Sequence, residues 1–237
     1  MKHVSSILAL FSIFSFTPFI FSEHTILGTN SVFTSGKYEI ISDIKVSNLQ
    51  IRQVRQIDSK ICSDKSQHDD HIEMSGPINP DTPYIIERLI NKIEDSPYRC
   101  KDERGIGYAI KVFLNSGGGY MEDGYELGEI FRRNYVYTRI AYNGECYSSC
   151  ATAFLGGYYR DMGKESKLMF HAPYSYTSRY DISCSENDSK LLSYMKTMVG
   201  NDNGDFLYKR TMSYCSESSG WSLNKDAAEL FGLIDRD

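Results

Sequence analysis

Positive charge is in short supply. Lysine and arginine total 26 against 31 aspartates and glutamates, a formal net charge of −5. The chain therefore offers no basic footprint for nucleic acid or for an anionic membrane surface. Long apolar runs are equally scarce: after residue 22, none approaches the roughly 20 residues that a bilayer-spanning helix needs. No two cysteines stand in C-x-x-C spacing, which removes the usual zinc and dithiol frameworks. The run His68-Asp69-Asp70-His71 has metal-ligand residue types. It ends a charged stretch, Ser63 to His71, without large apolar side chains, and reads as a solvated loop. No metal and no cofactor are expected, and no internal repeat is visible.

The N-terminus reads as a secretory signal. Lys2 and His3 precede a charge-free apolar run from Ile7 to Phe21, and Ser22 supplies a small residue before Glu23. Fifteen residues interrupted by Pro18 are short for a membrane anchor. Cleavage after residue 22 would leave no stable membrane span and a mature chain beginning near Glu23, in the periplasm or secreted. Its 25 basic and 31 acidic residues give −6. The 215 remaining residues suit one domain with a sizeable core. Six cysteines, at 62, 100, 146, 150, 184 and 215, lie beyond the signal, and an even count in an oxidising compartment suggests disulfides. Cys146 and Cys150 are spaced so that a turn, though not a strand, brings them to bridging distance. The rival account leaves Cys150 as a packed thiol.

Residues 23–71 are polar and read as irregular, apart from an alternating stretch at Lys37 to Val46 that suits an edge strand. From Ile72 the pattern becomes regular. Ile72 to Gly76 is a short strand and turn. Asp81-Thr82-Pro83 opens a helix carrying Ile85, Ile86, Leu89, Ile90 and Ile93 at helical spacing. Strands are expected at Tyr108–Leu114, Tyr135–Ala141 and Lys167–Phe170, and helices at Tyr120–Arg133 and Cys150–Leu155. Gly124 and Gly128 in the first of these helices permit close packing. Two further helices, Lys190–Met198 and Phe206–Met212, are divided by Gly200-Asn-Asp-Asn-Gly204. Asn224 caps a last helix, Ala227 to Phe231, which Gly232 closes. This alternation predicts an α/β fold, a single domain with a mostly parallel sheet and right-handed crossovers.

Chemistry concentrates at the strand ends. The strand ending at Asn115 runs into Ser116-Gly117-Gly118-Gly119. Gly144-Glu-Cys-Tyr-Ser-Ser-Cys-Ala151 places Ser148 at a strand-to-helix turn, and His171 follows 23 residues later, at the end of the next strand. Ligands bind at the carboxyl ends of strands in such sheets. A serine needs a base to become nucleophilic, and an oxyanion needs backbone N–H donors unobstructed by side chains. His171 is the sole imidazole in the regular part of the chain as read here. A glycine turn, an N-cap serine or a lone histidine is ordinary by itself. Their order on this topology points to acyl transfer.

Residues 72–235 resemble the Clp protease proteolytic subunit superfamily, which also holds signal peptide peptidases and, more distantly, crotonases. Phe113-Leu-Asn-Ser-Gly-Gly-Gly119 is similar to its N-S-P-G-G loop, with Gly117 in place of proline. Gly144-x-x-x-Ser148-x-x-Ala151 matches its serine turn, with Cys150 where the Clp subunits carry glycine. Leu168-Met-Phe-His171-Ala-Pro173 resembles the M-I-H-Q-P segment, and Leu223 to Asp235 the closing L-S-A-x-E-A-x-x-x-G-L-V-D stretch. The resemblance implies a ClpP/crotonase-like fold of repeated β-β-α units over residues 72–237. It implies Ser148 as nucleophile, His171 as base, and the Gly118 and Ser149 N–H groups as oxyanion hole. Ser149 is the rival nucleophile.

The family's third member does not carry over, because its aspartate position falls on Gly220. Glu217 is the nearest acid, with Asp226 on the other side. Failing both, a backbone carbonyl or a serine would hold His171. The first expectation is an exported Clp-like serine peptidase acting on peptides or unfolded protein. The alternative is a binding or assembly protein that keeps the fold without efficient catalysis. An acyl-CoA enzyme ranks third, since exported compartments lack ready CoA. The family's rings assemble through the helix after the histidine, which implies a homo-oligomer through Asp188 to Met212.

Overall fold

A computed structural model describes residues 37–57, 60–178, 181–216 and 218–235. The expected signal segment and Glu217 lie outside the described residues. In chain order the elements are β1 (Lys37–Val46), β2 (Leu49–Ile57), β3 (Asp69–Ser75), α1 (Thr82–Glu94), β4 (Lys111–Asn115), α2 (Met121–Arg133), β5 (Tyr137–Ile140) and β6 (Glu145–Tyr147). There follow α3 (Ser149–Leu155), β7 (Tyr159–Met162), β8 (Lys167–Phe170), β9 (Tyr174–Tyr176), β10 (Ile182–Cys184), α4 (Ser189–Val199), α5 (Asn201–Met212), β11 (Trp221–Leu223) and α6 (Lys225–Leu230).

The main sheet has six strands in the order β1-β2-β3-β4-β5-β7. The β1–β2 and β2–β3 pairs are antiparallel, and the β3–β4, β4–β5 and β5–β7 pairs are parallel. Each parallel connection passes through a helix, as the alternating pattern requires. A second sheet, β11-β8-β6, pairs β6 with β8 in parallel and β11 with β8 antiparallel. Strict β-β-α repetition is not seen, since α2 follows the single strand β4.

The core forms where the apolar stripes of the helices meet one sheet face. Ile72, Met74, Val112, Leu114 and Ile140 from the strands meet Ile86, Ile90, Leu127, Phe131 and Phe154 from the helices, all fully buried. Burying each such side chain contributes about 1.5–3 kcal/mol. Gly124 and Gly128 let α2 lie against α3 and α4: a Cβ on Gly124 would come 2.8 Å from the Ser149 Cβ, and one on Gly128 would strike the Tyr194 hydroxyl. Arg160 ties the sheet edge to the C-terminal segment, donating from its backbone N–H to Asp235 Oδ2 (2.7 Å) and from Nε to the Leu233 carbonyl (2.7 Å).

The polar N-terminal stretch is more ordered than its composition suggests. The edge strand expected at Lys37 to Val46 forms as β1, residues expected to be irregular form β2, and β2 pairs with β3 from Gln50↔Ser75 to Gln56↔Asp69. Polar residues at Gln50, Arg52, Gln53 and Arg55 mask the strand: Leu49, Ile51 and Gln53 alternate as buried positions on one face, and Val54 is buried on the other. Asp69, Asp70 and His71 belong to β3 and are buried, not solvated. Buried charge persists only when paired. Asp70 accepts from Gln53 Nε2 (2.8 Å) and Arg55 Nε (2.9 Å), Asp69 pairs with Lys111 Nζ (2.9 Å), and His71 Nε2 lies 3.6 Å from Glu73 Oε1. His171 is thus not the only histidine in the regular structure. The expected divider between α4 and α5 shrinks to Gly200, which at φ 86° turns the chain between them.

Candidate active site

Three segments distant in sequence meet backbone to backbone. The loop after β4 joins the strand bearing the serine turn: Ser116 N–H donates to the Glu145 carbonyl (2.6 Å) and Tyr147 N–H to the Ser116 carbonyl (3.0 Å). Parallel pairing of β6 with β8 sets Tyr147 opposite Met169, and Ser148 N–H donates to the Met169 carbonyl (2.9 Å). His171 follows Met169 by two residues, ~7 Å along a strand. Ser148 thus lies beside the strand end that leads to His171, and the glycine loop lies beside the serine turn.

Ser148 has φ 57° and ψ −125°. Side chains rarely occupy this region, and holding one there costs about 1–3 kcal/mol. A strained strand-to-helix turn is the geometry that lifts a nucleophile clear of its neighbours. A disulfide joins Cys146 to Cys150, both fully buried, and so brackets Ser148 from either side. Cys150 is not a free thiol. Burial, and then the Glu145 carboxylate, push the Tyr147 phenol well above its ordinary value, so the residue before the serine stays neutral.

The rival serine is occupied differently. Ser149 is fully buried, and its hydroxyl has no hydrogen-bond partner among the described residues. Its N–H, in the open first turn of α3, donates to no described backbone acceptor. Ser148, by contrast, is only half-buried.

Gly118, at φ 100°, adopts a conformation that favours glycine, and a Cβ there would come 2.8 Å from the Ser148 Cβ and 3.3 Å from the Ser149 nitrogen. The glycine is what leaves room beside the serine. Its N–H donates to Ser116 Oγ (3.1 Å) within its own loop. Ser116 is a site residue that the glycine-rich motif contained but that the sequence reading left without a role.

His171 is 4% exposed, and its Nδ1 lies 3.0 Å from the Ala172 carbonyl. A neutral ring holding its proton on Nδ1 donates there and leaves Nε2 free to accept. No described carboxylate lies within ion-pair distance of His171, and no hydrogen bond joins it to Ser148. Free enzymes often hold such pairs loosely until substrate arrives. The missing aspartate has a physical counterpart: Gly220 packs so closely on β8 that a Cβ would come 2.9 Å from Met169 Cγ. Asp226 sits in the first turn of α6, where Asn224 Oδ1 accepts from the Ala227 N–H (2.9 Å). A carboxylate there complements the helix terminus. Sequence reasoning also missed Tyr174, whose ring centroid lies 5.5 Å from that of His171. Its only sequence signal is position, three residues after the histidine.

Neither a protein-family profile nor a curated protein matches the sequence. Solved structures do. A serine-to-alanine mutant of the membrane-bound stomatin-specific protease 1510-N superposes with a TM-score of 0.53 at 16% identity, covering 69% of this chain and 75% of its own. A mutant of ClpP1 from Listeria monocytogenes gives a TM-score of 0.48 at 15% identity, covering 68% of this chain and 86% of its own. The fold is ClpP-like: mixed α/β with a mostly parallel central sheet.

Proposed function

We propose that the chain is an exported serine peptidase that cleaves peptides or unfolded protein through an acyl-enzyme on Ser148, with His171 as general base. The observation that carries this reading is the strained turn at Ser148, bracketed by Cys146–Cys150 and faced by Gly118. Such strain persists only where the surrounding structure imposes it, and it gathers at reactive positions. In the first half-reaction His171 Nε2 takes the Ser148 proton as Oγ attacks the carbonyl. The same proton then passes to the leaving amine, and water repeats the sequence to release the acid. The Ser149 N–H, with Gly118 N–H once it leaves Ser116 Oγ, would receive the oxyanion. Glu217 remains the proposed carboxylate for His171 should a triad operate. The three disulfides, Cys62–Cys100, Cys146–Cys150 and Cys184–Cys215, fit an oxidising compartment and support export to the periplasm or beyond. A homo-oligomer through α4 and α5 is part of this reading.

The second reading, a binding or assembly protein, is favoured by one observation: Gly118 N–H is engaged by Ser116 Oγ. A fluorophosphonate probe separates the two. One adduct mapping to Ser148, lost in Ser148→Ala and strongly slowed in His171→Ala, is the expected result. An adduct on Ser149, or none on the folded chain, refutes the peptidase.

A further inference from the structure

A general base needs its ring held in one orientation and its charged form stabilised, tasks that a buried carboxylate performs in a triad. The described partner of His171 Nδ1 is the carbonyl of the very next residue, Ala172. That bond selects a tautomer but spans a single residue, and a neutral carbonyl stabilises imidazolium less than a carboxylate does. Something else must restrain the ring.

We propose that Tyr174 is the positioning residue for His171, and that the Cys184–Cys215 disulfide holds Tyr174 in place. This inference rests on the Ser148–His171 reading above and deepens it. The Tyr174 ring lies against the imidazole at 5.5 Å between centroids with a 36° tilt. A cation within about 6 Å of an aromatic centroid is stabilised by the ring's quadrupole. The same contact blocks rotation of the imidazole away from Ala172. Tyr174 therefore restrains the neutral base and favours the imidazolium that forms as Ser148 loses its proton.

Tyr174 does not stand on the rigid sheets. It starts β9, which among the described residues pairs only with β10 in a two-stranded ribbon, Tyr174 opposite Cys184. A two-stranded ribbon is marginal alone. Cys184, Tyr174's cross-strand neighbour, is bonded to Cys215, and the residue before that cysteine, Tyr214, accepts the Ala172 N–H at its carbonyl (2.9 Å). Ser185 N–H closes the base of the ribbon on the Pro173 carbonyl (3.1 Å). One covalent link thus fixes both sides of the histidine: the ribbon bearing Tyr174 and the segment that holds Ala172. Cys215 is exposed and Cys184 only half-buried, whereas Cys146 and Cys150 are fully buried. The link can be removed without opening the core.

The experiment uses the full mature chain and reads the histidine directly as well as the serine. Four variants are compared: Tyr174→Phe, Tyr174→Leu, Tyr174→Ala and the double variant Cys184→Ser with Cys215→Ser, each first shown to melt cooperatively. The imidazole proton–nitrogen spectrum is recorded, with His171 assigned by its loss in His171→Asn. Fluorophosphonate labelling of Ser148 is timed in parallel. Tyr174→Phe keeps the aromatic face and should retain both the slowly exchanging Nδ1–H signal and the wild-type labelling rate. Tyr174→Leu keeps bulk without a quadrupole and should label about five- to tenfold more slowly. Tyr174→Ala and the cysteine pair should also lose the slow Nδ1–H signal. Labelling and spectrum unchanged in Tyr174→Leu and Tyr174→Ala would overturn the inference while leaving the peptidase intact. A chain that never labels, yet loses the Nδ1–H signal in Tyr174→Ala, would uphold the positioning and sink the peptidase.

Discussion

Replacing Ser148 with glycine should make the protein more stable and inert. At φ 57° and ψ −125° the serine backbone bears a cost of about 1–3 kcal/mol that glycine does not. Glycine gives back about 0.4–1 kcal/mol through the greater freedom of the unfolded chain. The net gain is about 0.5–2 kcal/mol. For a domain near 200 residues each kcal/mol moves Tm by about 2–4 °C, so the melt should rise by about 1–8 °C. Ser148→Ala separates strain from chemistry. It abolishes the nucleophile, yet an alanine Cβ suffers the same backbone clash, and its Tm should stay within about 2 °C of wild type. Both variants are melted by calorimetry beside the wild type and challenged with the fluorophosphonate. A Ser148→Gly chain no more stable than Ser148→Ala would show that the turn stores no strain, and the main support for a reactive serine would go.

The opposite change at the facing position should do the opposite. Gly118→Ala sets a Cβ 2.7 Å from the Tyr147 carbonyl oxygen at φ 100°, so a loss of about 2 kcal/mol and of all labelling is expected; normal denaturant midpoint and labelling would contradict the close approach. Removing the bracket with Cys146→Ala and Cys150→Ala should cost about 2 kcal/mol by the chain-entropy estimate for a loop this short, and should slow labelling as Ser148 relaxes. Unchanged labelling would mean that the turn holds without the bridge. Alkaline stability gives a test apart from the site. Burial, then Asp69 and Glu73, push the Tyr38 phenol up to about 12, and burial likewise raises Tyr125 and Tyr194. These phenols bind protons more tightly folded than unfolded, so stability is intact below pH 10 and falls as pH climbs from there towards 12. Denaturant midpoints taken between pH 9 and 12 should decline, less steeply in Tyr38→Phe; a flat profile refutes the shifts.

What the sequence discloses and what it hides follow from the range of each interaction. Helical spacing at Ile86, Leu89, Ile90 and Ile93 and the strand Lys167–Phe170 are local signals, and both elements form where expected. The site edge was legible for the same reason: each of its three parts lies at a strand end marked by glycine or by a change of period. β2 and the start of β3 were not legible, because their polar residues are compensated by partners far along the chain. Asp69 needs Lys111, and Asp70 needs Gln53 and Arg55. A charged run reads as solvated until those partners are known. The third member of the site was no more legible. Matching by position led to Gly220 and its acidic neighbours, but β11 approaches β8 too closely there for a side chain. The described contacts of His171 come from Ala172 and Tyr174, one and three residues away, and Tyr174 stands opposite Cys184, whose bridge closes 31 residues further on. In the proposed reading, close packing at Gly220 excludes a carboxylate there, and the ring of Tyr174 takes up the positioning of His171.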